Sequence, residues 1–201
     1  MKWIVKPSTL SGTISIPPSK SHTIRALLIA TLADGESVIR RPLLKGDGAS
    51  AIGAAKSLGA KIDFNGDVLK VKGVGGNFNS GDELFDMGNS GTGTNLFSSA
   101  AALGSKFRRF DGDSSLRSRP FRPVLQALKG LGVTYTLEGD PKDLPFTIQG
   151  PIKGGTTTVD GISSQFVSSL LLSCPLVKTG NTTFTVYNIH EQPYIEMTIW
   201  W

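Results

Sequence analysis

The sequence is poor in cysteine and histidine and contains no long hydrophobic run. Its 201 residues include one cysteine, Cys174, and two histidines, which excludes an internal disulfide framework and a cysteine-rich metal site. No apolar stretch approaches the roughly 18 residues that a membrane-spanning helix requires. The first residues also lack the apolar centre of a secretory signal peptide. We therefore expect a cytoplasmic protein with no membrane partner.

The excess of positive charge is modest and is scattered along the chain. Lysine and arginine total 21 against 16 acidic residues, which gives a net charge of +5. Nucleic-acid-binding proteins concentrate their basic residues in one patch or stripe, so we expect no nucleic-acid partner. A small anionic ligand needs only a few well-placed cations and fits this composition better. A soluble protein that is basic without a functional reason is the alternative.

Three segments of small polar residues recur about every 70 residues, each at the start of a predicted helix. They cover residues 19–28, 89–97 and 163–171. The unpaired N–H groups at a helix start attract anions. If the three starts meet near Lys20, Arg25 and Arg119, they form a pocket for phosphate and carboxylate groups.

Hydrophobic periodicity predicts a mixed α/β fold built from repeated units of helix, strand, helix, strand and strand. Helices are predicted over residues 21–32, 47 or 50–58, 91–103, 120–131 with proline in the first turn, 164–174, and from about 193. Strands are predicted over residues 37–41, 61–64, 68–71, 107–110, 133–137, 146–149, 156–159 and 182–187, with the turn Asn65-Gly66 closing a hairpin.

Both ends of the sequence depart from this repeat. Residues 1–18 are expected to hold a strand around Ile14 and Ile16, followed by a stiff crossing segment at Pro17-Pro18. The last predicted helix reaches residue 201 without a cap or a glycine to end it. We therefore expect the third unit to be incomplete.

The pattern Lys20-Ser21-x-x-x-Arg25 is the most specific motif from the residues alone. Arginine offers a planar fork for phosphate or carboxylate, and lysine offers a mobile point charge. A lysine at a helix N-terminus opposes the helix dipole by about 0.3–1 kcal/mol, and a bound anion reverses that sign. An anion site is therefore favoured over a solvated helix end. The Walker A pattern is absent, so no nucleotide P-loop is predicted.

Three weaker patterns accompany it, and each has a structural alternative. Gly91 and Gly93 allow close approach of backbone to a ligand, or form only a turn. Arg117 and Arg119 place one guanidinium in a pocket, or are a solvated pair. The serines and glutamine of residues 163–165 suit a polyhydroxylated ring, or cap a helix.

Taken together, these motifs are similar to those of a known family in order and spacing. The chain resembles the N-terminal half of the 5-enolpyruvylshikimate-3-phosphate synthase family. The segments that carry the resemblance are residues 18–28, 88–92, 116–120, 163–166 and 193–198.

The resemblance implies an enolpyruvyl transferase fold, which is an inside-out α/β barrel of repeated βαβαββ units and forms one domain of two. Residues 1–18 would be a strand and crossover belonging to the other domain. Residues 19–201 would be a substrate-binding domain of three repeats, at about 19–85, 86–152 and, truncated, 153–201.

The resemblance also implies an activity in the shikimate pathway. The enolpyruvyl group of phosphoenolpyruvate would move to the 5-hydroxyl of shikimate-3-phosphate, with loss of phosphate and without a metal or organic cofactor. Glyphosate competes with phosphoenolpyruvate in this family. The main acid and base residues would lie in a missing C-terminal domain, so we expect the isolated chain to be inactive or nearly so. The full-length form is expected to be a monomer.

Residue roles follow from the resemblance by position. The residues expected to bind shikimate-3-phosphate are Lys20, Ser21, Arg25, Ser163, Ser164 and Gln165. Those expected to bind phosphoenolpyruvate are Lys20, Gly91, Arg119 and Gln165. The sequence departs from the family pattern at Asn95, where arginine is usual, and at Leu96, where proline is common. It also departs at Glu191, where many members have a serine that faces the shikimate ligand, so no role is carried over to Glu191.

Two alternatives remain at this stage. UDP-N-acetylglucosamine enolpyruvyl transferase shares the fold, but it usually carries a reactive cysteine in a loop that here spans residues 106–119 and contains none. That family also lacks the Lys-Ser-x-x-x-Arg pattern. The second alternative is a non-catalytic phosphometabolite-binding half of a split enzyme.

Overall fold

The computed structural model describes residues 2–139 and 141–201 and contains alternating helices and strands. The helices are α1 (Lys20–Leu32), α2 (Asp47–Leu58), α3 (Gly91–Ala101), α4 (Arg122–Gly130), α5 (Ser164–Ser173) and α6 (Gln192–Trp200). The strands are β1 (Glu36–Arg40), β2 (Lys61–Asn65), β3 (Val68–Lys72), β4 (Leu84–Asp86), β5 (Phe107–Asp111), β6 (Thr134–Leu137), β7 (Phe146–Gln149), β8 (Gly155–Asp160) and β9 (Thr182–Tyr187).

The strands form separate small sheets, one for each repeated unit. The first sheet has the order β1-β3-β2 and is antiparallel, and Asn65 pairs with Val68 at the hairpin turn. The second has the order β4-β5-β7-β6, in which β4 and β5 are parallel and connected through α3. In the third, β8 and β9 are parallel and connected through α5. Each parallel pair therefore positions one helix start against the sheet.

The helices pack against one another, and the sheets lie outside them. Every residue of α3 is buried, as expected for a helix surrounded by other elements. Small side chains allow the close approach of α3 and α5, where the hydroxyls of Ser99 and Ser169 share a hydrogen bond. This arrangement agrees with helices directed inward, and it brings helix starts from different units together.

An aromatic stack joins three strands of the second sheet. Phe110 of β5 is fully buried, and its ring centroid lies 4.6 Å from that of Phe85 and 5.2 Å from that of Phe146. The three rings come from β4, β5 and β7. One buried cluster therefore ties together strands that are distant in sequence.

The predicted elements are confirmed to within a few residues, with three corrections. The three-residue strand β4 was not predicted, because it is too short for alternation to reveal it. Helix α4 begins at Arg122 rather than near Pro120, and Pro123 is the proline in its first turn. Pro120 instead follows Arg119, whose backbone is extended. A residue before proline favours this conformation.

The strand predicted around Ile14 and Ile16 is not formed. Residues 2–19 contain neither helix nor strand, and Ile14 is 82% exposed. A strand needs a neighbour that accepts and donates its backbone hydrogen bonds, and no strand of the described structure pairs with residues 2–19.

Within the described residues, none of the helices has both the length and the apolar character required to cross a lipid bilayer.

Candidate functional site

The starts of α1, α3 and α5 converge on one small polar cavity. Its volume is about 180 Å³, below the roughly 300–1,000 Å³ of sites that enclose a small molecule. A ligand here is therefore only partly enclosed by the described residues. The lining residues are Lys20, Ser21, Arg25, Thr92, Ser164, Gln165, Glu191 and Tyr194.

Helix α1 contributes two cations. The hydroxyl of Ser19 caps the helix by accepting a hydrogen bond from the backbone N–H of His22 at 3.4 Å. The Lys20 ammonium is 3.8 Å from a carboxylate oxygen of Asp47, and the Lys20 side chain is 50% exposed. A pair this distant and this exposed contributes little to stability. Lys20 therefore remains available to an incoming anion.

Arg25 is the second cation and is only 2% exposed. Its Nε donates to the hydroxyl of Thr198 at 2.8 Å, and its Nη2 donates to the Ser168 hydroxyl at 3.1 Å and the Tyr194 carbonyl at 3.2 Å. Its Nη1 donates to the Ser21 carbonyl at 3.2 Å. These contacts use four of the five N–H groups of a guanidinium, so one N–H on Nη1 can reach the cavity.

The charge of Arg25 has no counter-ion among residues 2–139 and 141–201, since every partner is a hydroxyl or a carbonyl. Burial lowers the pKa of the guanidinium from its ordinary value, although an arginine remains protonated in proteins. Burying a cation without an anion is costly. An anionic ligand in the cavity would supply the missing charge.

The start of α3 brings Gly91 beside Arg119. The buried hydroxyl of Ser90 caps the helix by accepting from the N–H of Gly93 at 3.1 Å. Arg119 donates through Nη2 to the side-chain oxygen of Asn89. A Cβ added to Gly91 would lie 2.8 Å from Nη1 of Arg119, so the absence of a side chain at Gly91 permits this position of the guanidinium.

The start of α5 supplies hydroxyl and amide groups. The Ser163 hydroxyl is the cap and accepts from the N–H of Gln165 at 3.4 Å. The side-chain nitrogen of Asn95 donates to the side-chain oxygen of Gln165 at 3.1 Å and to the Gly91 carbonyl at 3.1 Å. Asn95 therefore fixes the orientation of the Gln165 side-chain amide. The amide nitrogen of Gln165 remains a donor toward the cavity.

The structure brings together most of the residues that the sequence singled out. The predicted residues that line the cavity are Lys20, Ser21, Arg25, Ser164 and Gln165. Gly91 and Arg119 lie beside it, next to the lining residue Thr92, and Ser163 caps α5 without lining the cavity.

Three lining residues were not predicted to be part of the site: Thr92, Glu191 and Tyr194. Thr92 follows Gly91 directly, and its position at the predicted helix start was the signal that could have identified it as a site residue. Glu191 and Tyr194 reach the cavity only because α6 packs beside α5, and periodicity gives no indication of that packing.

Sequence comparisons identify similar proteins over nearly the whole chain. The family model described as EPSP synthase (3-phosphoshikimate 1-carboxyvinyltransferase) matches residues 4–200. The 3-phosphoshikimate 1-carboxyvinyltransferase of Acetivibrio thermocellus is 41% identical over 197 residues, which are 98% of this chain and 46% of that protein. The protein of the same name from Methanococcoides burtonii is 42% identical over 200 residues, covering 99% and 47% respectively. The chain therefore spans about half the length of these relatives.

Structural comparison gives the same architecture. A 2.37 Å structure of EPSP synthase from Acinetobacter baumannii superimposes with a TM-score of 0.79 over 92% of this chain and 42% of that one. The sequence identity is 24%, so this likeness concerns the fold alone.

Proposed function

The chain belongs to the EPSP synthase family, and from that premise we propose that its cavity is half of a site that binds shikimate-3-phosphate and phosphoenolpyruvate. The observation that carries the proposal is the buried cation Arg25, which faces a cavity at converging helix starts and has no carboxylate partner in the described chain. A domain corresponding to the other half of the relatives would cover the cavity and complete the site.

The proposed reaction joins two anionic molecules. The 5-hydroxyl oxygen of shikimate-3-phosphate loses its proton and bonds to C2 of phosphoenolpyruvate, while C3 takes up a proton. The tetrahedral adduct then loses phosphate and the C3 proton, which leaves the enolpyruvyl ether. Fixed cations offset the repulsion between the two substrates, and each hydrogen bond to a charged group contributes about 1.5–3 kcal/mol net.

We assign the phosphate of shikimate-3-phosphate to the start of α5, at Ser163 and at Ser164, which lines the same cavity as Arg25. Arg25, Ser21, Ser163 and Ser164 would hold shikimate-3-phosphate, and Arg119 with the backbone at Gly91 would hold phosphoenolpyruvate. Lys20 and Gln165, which also line the cavity, would contact both substrates. The described lining offers cations, hydroxyls, an amide and one carboxylate, which suits binding and orientation of anions.

The test of this function is a calorimetric titration of the chain with shikimate-3-phosphate. Shikimate, which lacks the phosphate, is the matched control ligand. We expect saturable binding of shikimate-3-phosphate and at least about tenfold weaker binding of shikimate, because the phosphate makes the charged hydrogen bonds. Equal affinities, or no binding of shikimate-3-phosphate by the folded chain, would reject the proposal.

Replacing Gly91 by alanine is expected to weaken phosphoenolpyruvate binding about tenfold. The new methyl group would stand 2.8 Å from Nη1 of Arg119, so the flexible arginine must move away from its place near the helix start. Titration of phosphoenolpyruvate in the presence of saturating shikimate-3-phosphate measures the effect.

The matched control is Gly53→Ala in α2, where an added Cβ meets nothing within 4 Å. Gly53→Ala should bind phosphoenolpyruvate as the parent chain does, and both variants should keep the affinity for shikimate-3-phosphate. Unchanged phosphoenolpyruvate binding by Gly91→Ala would remove Arg119 from the proposed site.

A further inference from the structure

Among the described residues that line the cavity, the one carboxylate lies at the point where an anion would bind. Glu191 comes directly before α6, and its Oε2 accepts hydrogen bonds from the backbone N–H of Ser164 at 3.3 Å and from the Ser164 hydroxyl at 3.0 Å. These two donors are at the start of α5, and Ser164 is 2% exposed. The Glu191 carboxylate therefore occupies the same hydrogen-bond donors of Ser164 that we assign to a ligand phosphate.

Carboxylate and phosphate oxygens require the same donors. A helix start carries partial positive charge and binds either group through its N–H groups. The donors of Ser164 cannot serve Glu191 and a ligand phosphate fully at the same time. A phosphate placed beside the retained carboxylate would also meet like-charge repulsion.

The backbone conformation of Glu191 indicates that the structure holds this residue in one position. Glu191 has φ 53° and ψ 36°, which is the left-handed region that residues with a Cβ rarely adopt. The residue as a whole is exposed, so solvent is available to the carboxylate when it leaves Ser164. The contact between Glu191 and Ser164 is therefore well defined, and a ligand can displace it.

We propose that Glu191 is an internal competitor that weakens phosphate binding at the start of α5 and so sets the affinity of the site. The proposal rests on the proposed function in that it assigns this position to the phosphate of shikimate-3-phosphate. Binding of the phosphate displaces the Glu191 carboxylate from the two donors of Ser164.

The test compares Glu191→Gln with the parent chain, using inorganic phosphate and shikimate-3-phosphate as probes. Glutamine keeps the size of the side chain and removes its charge. Glu196→Gln is the matched control, because it makes the same charge change at an exposed position of α6, where Glu196 bonds to Gln192 outside the cavity. We expect Glu191→Gln to bind both probes about tenfold more tightly and Glu196→Gln to bind them as the parent does.

The outcomes separate this inference from the proposed function. Tighter phosphate binding by Glu191→Gln with no binding of shikimate-3-phosphate to either chain would support the competitor and reject the proposed function. Saturable shikimate-3-phosphate binding with equal or weaker affinity in Glu191→Gln would overturn the competitor and leave the proposed function intact. The weaker case would mean that Glu191 accepts a hydrogen bond from the ligand. No binding of either probe by either chain would overturn both.

Discussion

Replacing Arg25 by alanine is expected to reduce the affinity for shikimate-3-phosphate about 10- to 100-fold. Arg25 is the one buried cation of the cavity lining, and hydrogen bonds between charged groups are the strongest available there. Losing the one charged hydrogen bond that its remaining N–H can make, at about 1.5–3 kcal/mol, corresponds to that factor. Calorimetric titration of the variant with shikimate-3-phosphate measures the loss.

Arg25 also holds α6 in place through Thr198 and Tyr194, so folding must be monitored separately. The hydroxyls of Ser168 and Thr198 also share a hydrogen bond of 2.7 Å. Because this bond does not involve Arg25, it supports a folded Arg25→Ala. Arg25→Lys keeps the charge and loses the planar fork, and we expect an intermediate affinity. Arg117→Ala removes an exposed arginine paired with Asp111 and should leave binding unchanged. Parent-like binding by a folded Arg25→Ala would contradict the assignment of Arg25 to shikimate-3-phosphate.

Replacing Phe110 by alanine is expected to lower the free energy of unfolding by about 3–5 kcal/mol. The Phe110 ring is fully buried and lies between the rings of Phe85 and Phe146. Truncation removes apolar burial and leaves a cavity between β4 and β7, which the rigid sheet can only partly fill. Urea unfolding followed by circular dichroism gives the change in midpoint.

Phe64→Ala is the matched control for that experiment. Phe64 of β2 is 53% exposed, and the Lys56 ammonium lies 5.5 Å from its ring centroid. We expect a loss below about 1 kcal/mol. Similar losses in the two variants would show that the aromatic stack does not stabilise the second sheet.

Local chemistry made most of the fold predictable. Gly59 ends α2 in the left-handed conformation, and Gly66 takes a positive φ at the hairpin turn, as glycine at these positions indicates. Ser19, Ser90 and Ser163 cap the three helices that they precede. Such signals lie within a few residues of the element they specify, so a single sequence is enough to find them.

Contacts between units could not be predicted in this way. Asn95 and Gln165 are 70 residues apart, and Ser164 and Glu191 are 27 apart. Each contact depends on how two helices pack, and the apolar pattern specifies which face is buried without specifying the partner. The sequence therefore identified Gln165 and Ser164 as polar groups at a helix start, but it did not reveal the side chains that orient or occupy them.

The roles of the site residues came mainly from the resemblance and remain predictions. From chemistry alone, the helix starts and their cations indicated an anion site. That inference gains support from the convergence of Lys20 and Arg25 with Ser164 and Gln165 on one cavity. Which anion each group holds is a question for binding measurements.

The most direct test of the central claim is a titration of isotope-labelled chain with shikimate-3-phosphate, followed by amide and arginine side-chain NMR signals. The account predicts that the largest shift changes fall on Ser21, Ser164 and Gln165 and on the Nε–H of Arg25. Shift changes concentrated elsewhere, such as the cavity lined by Phe78 and Lys178, or no changes at saturating ligand, would contradict it.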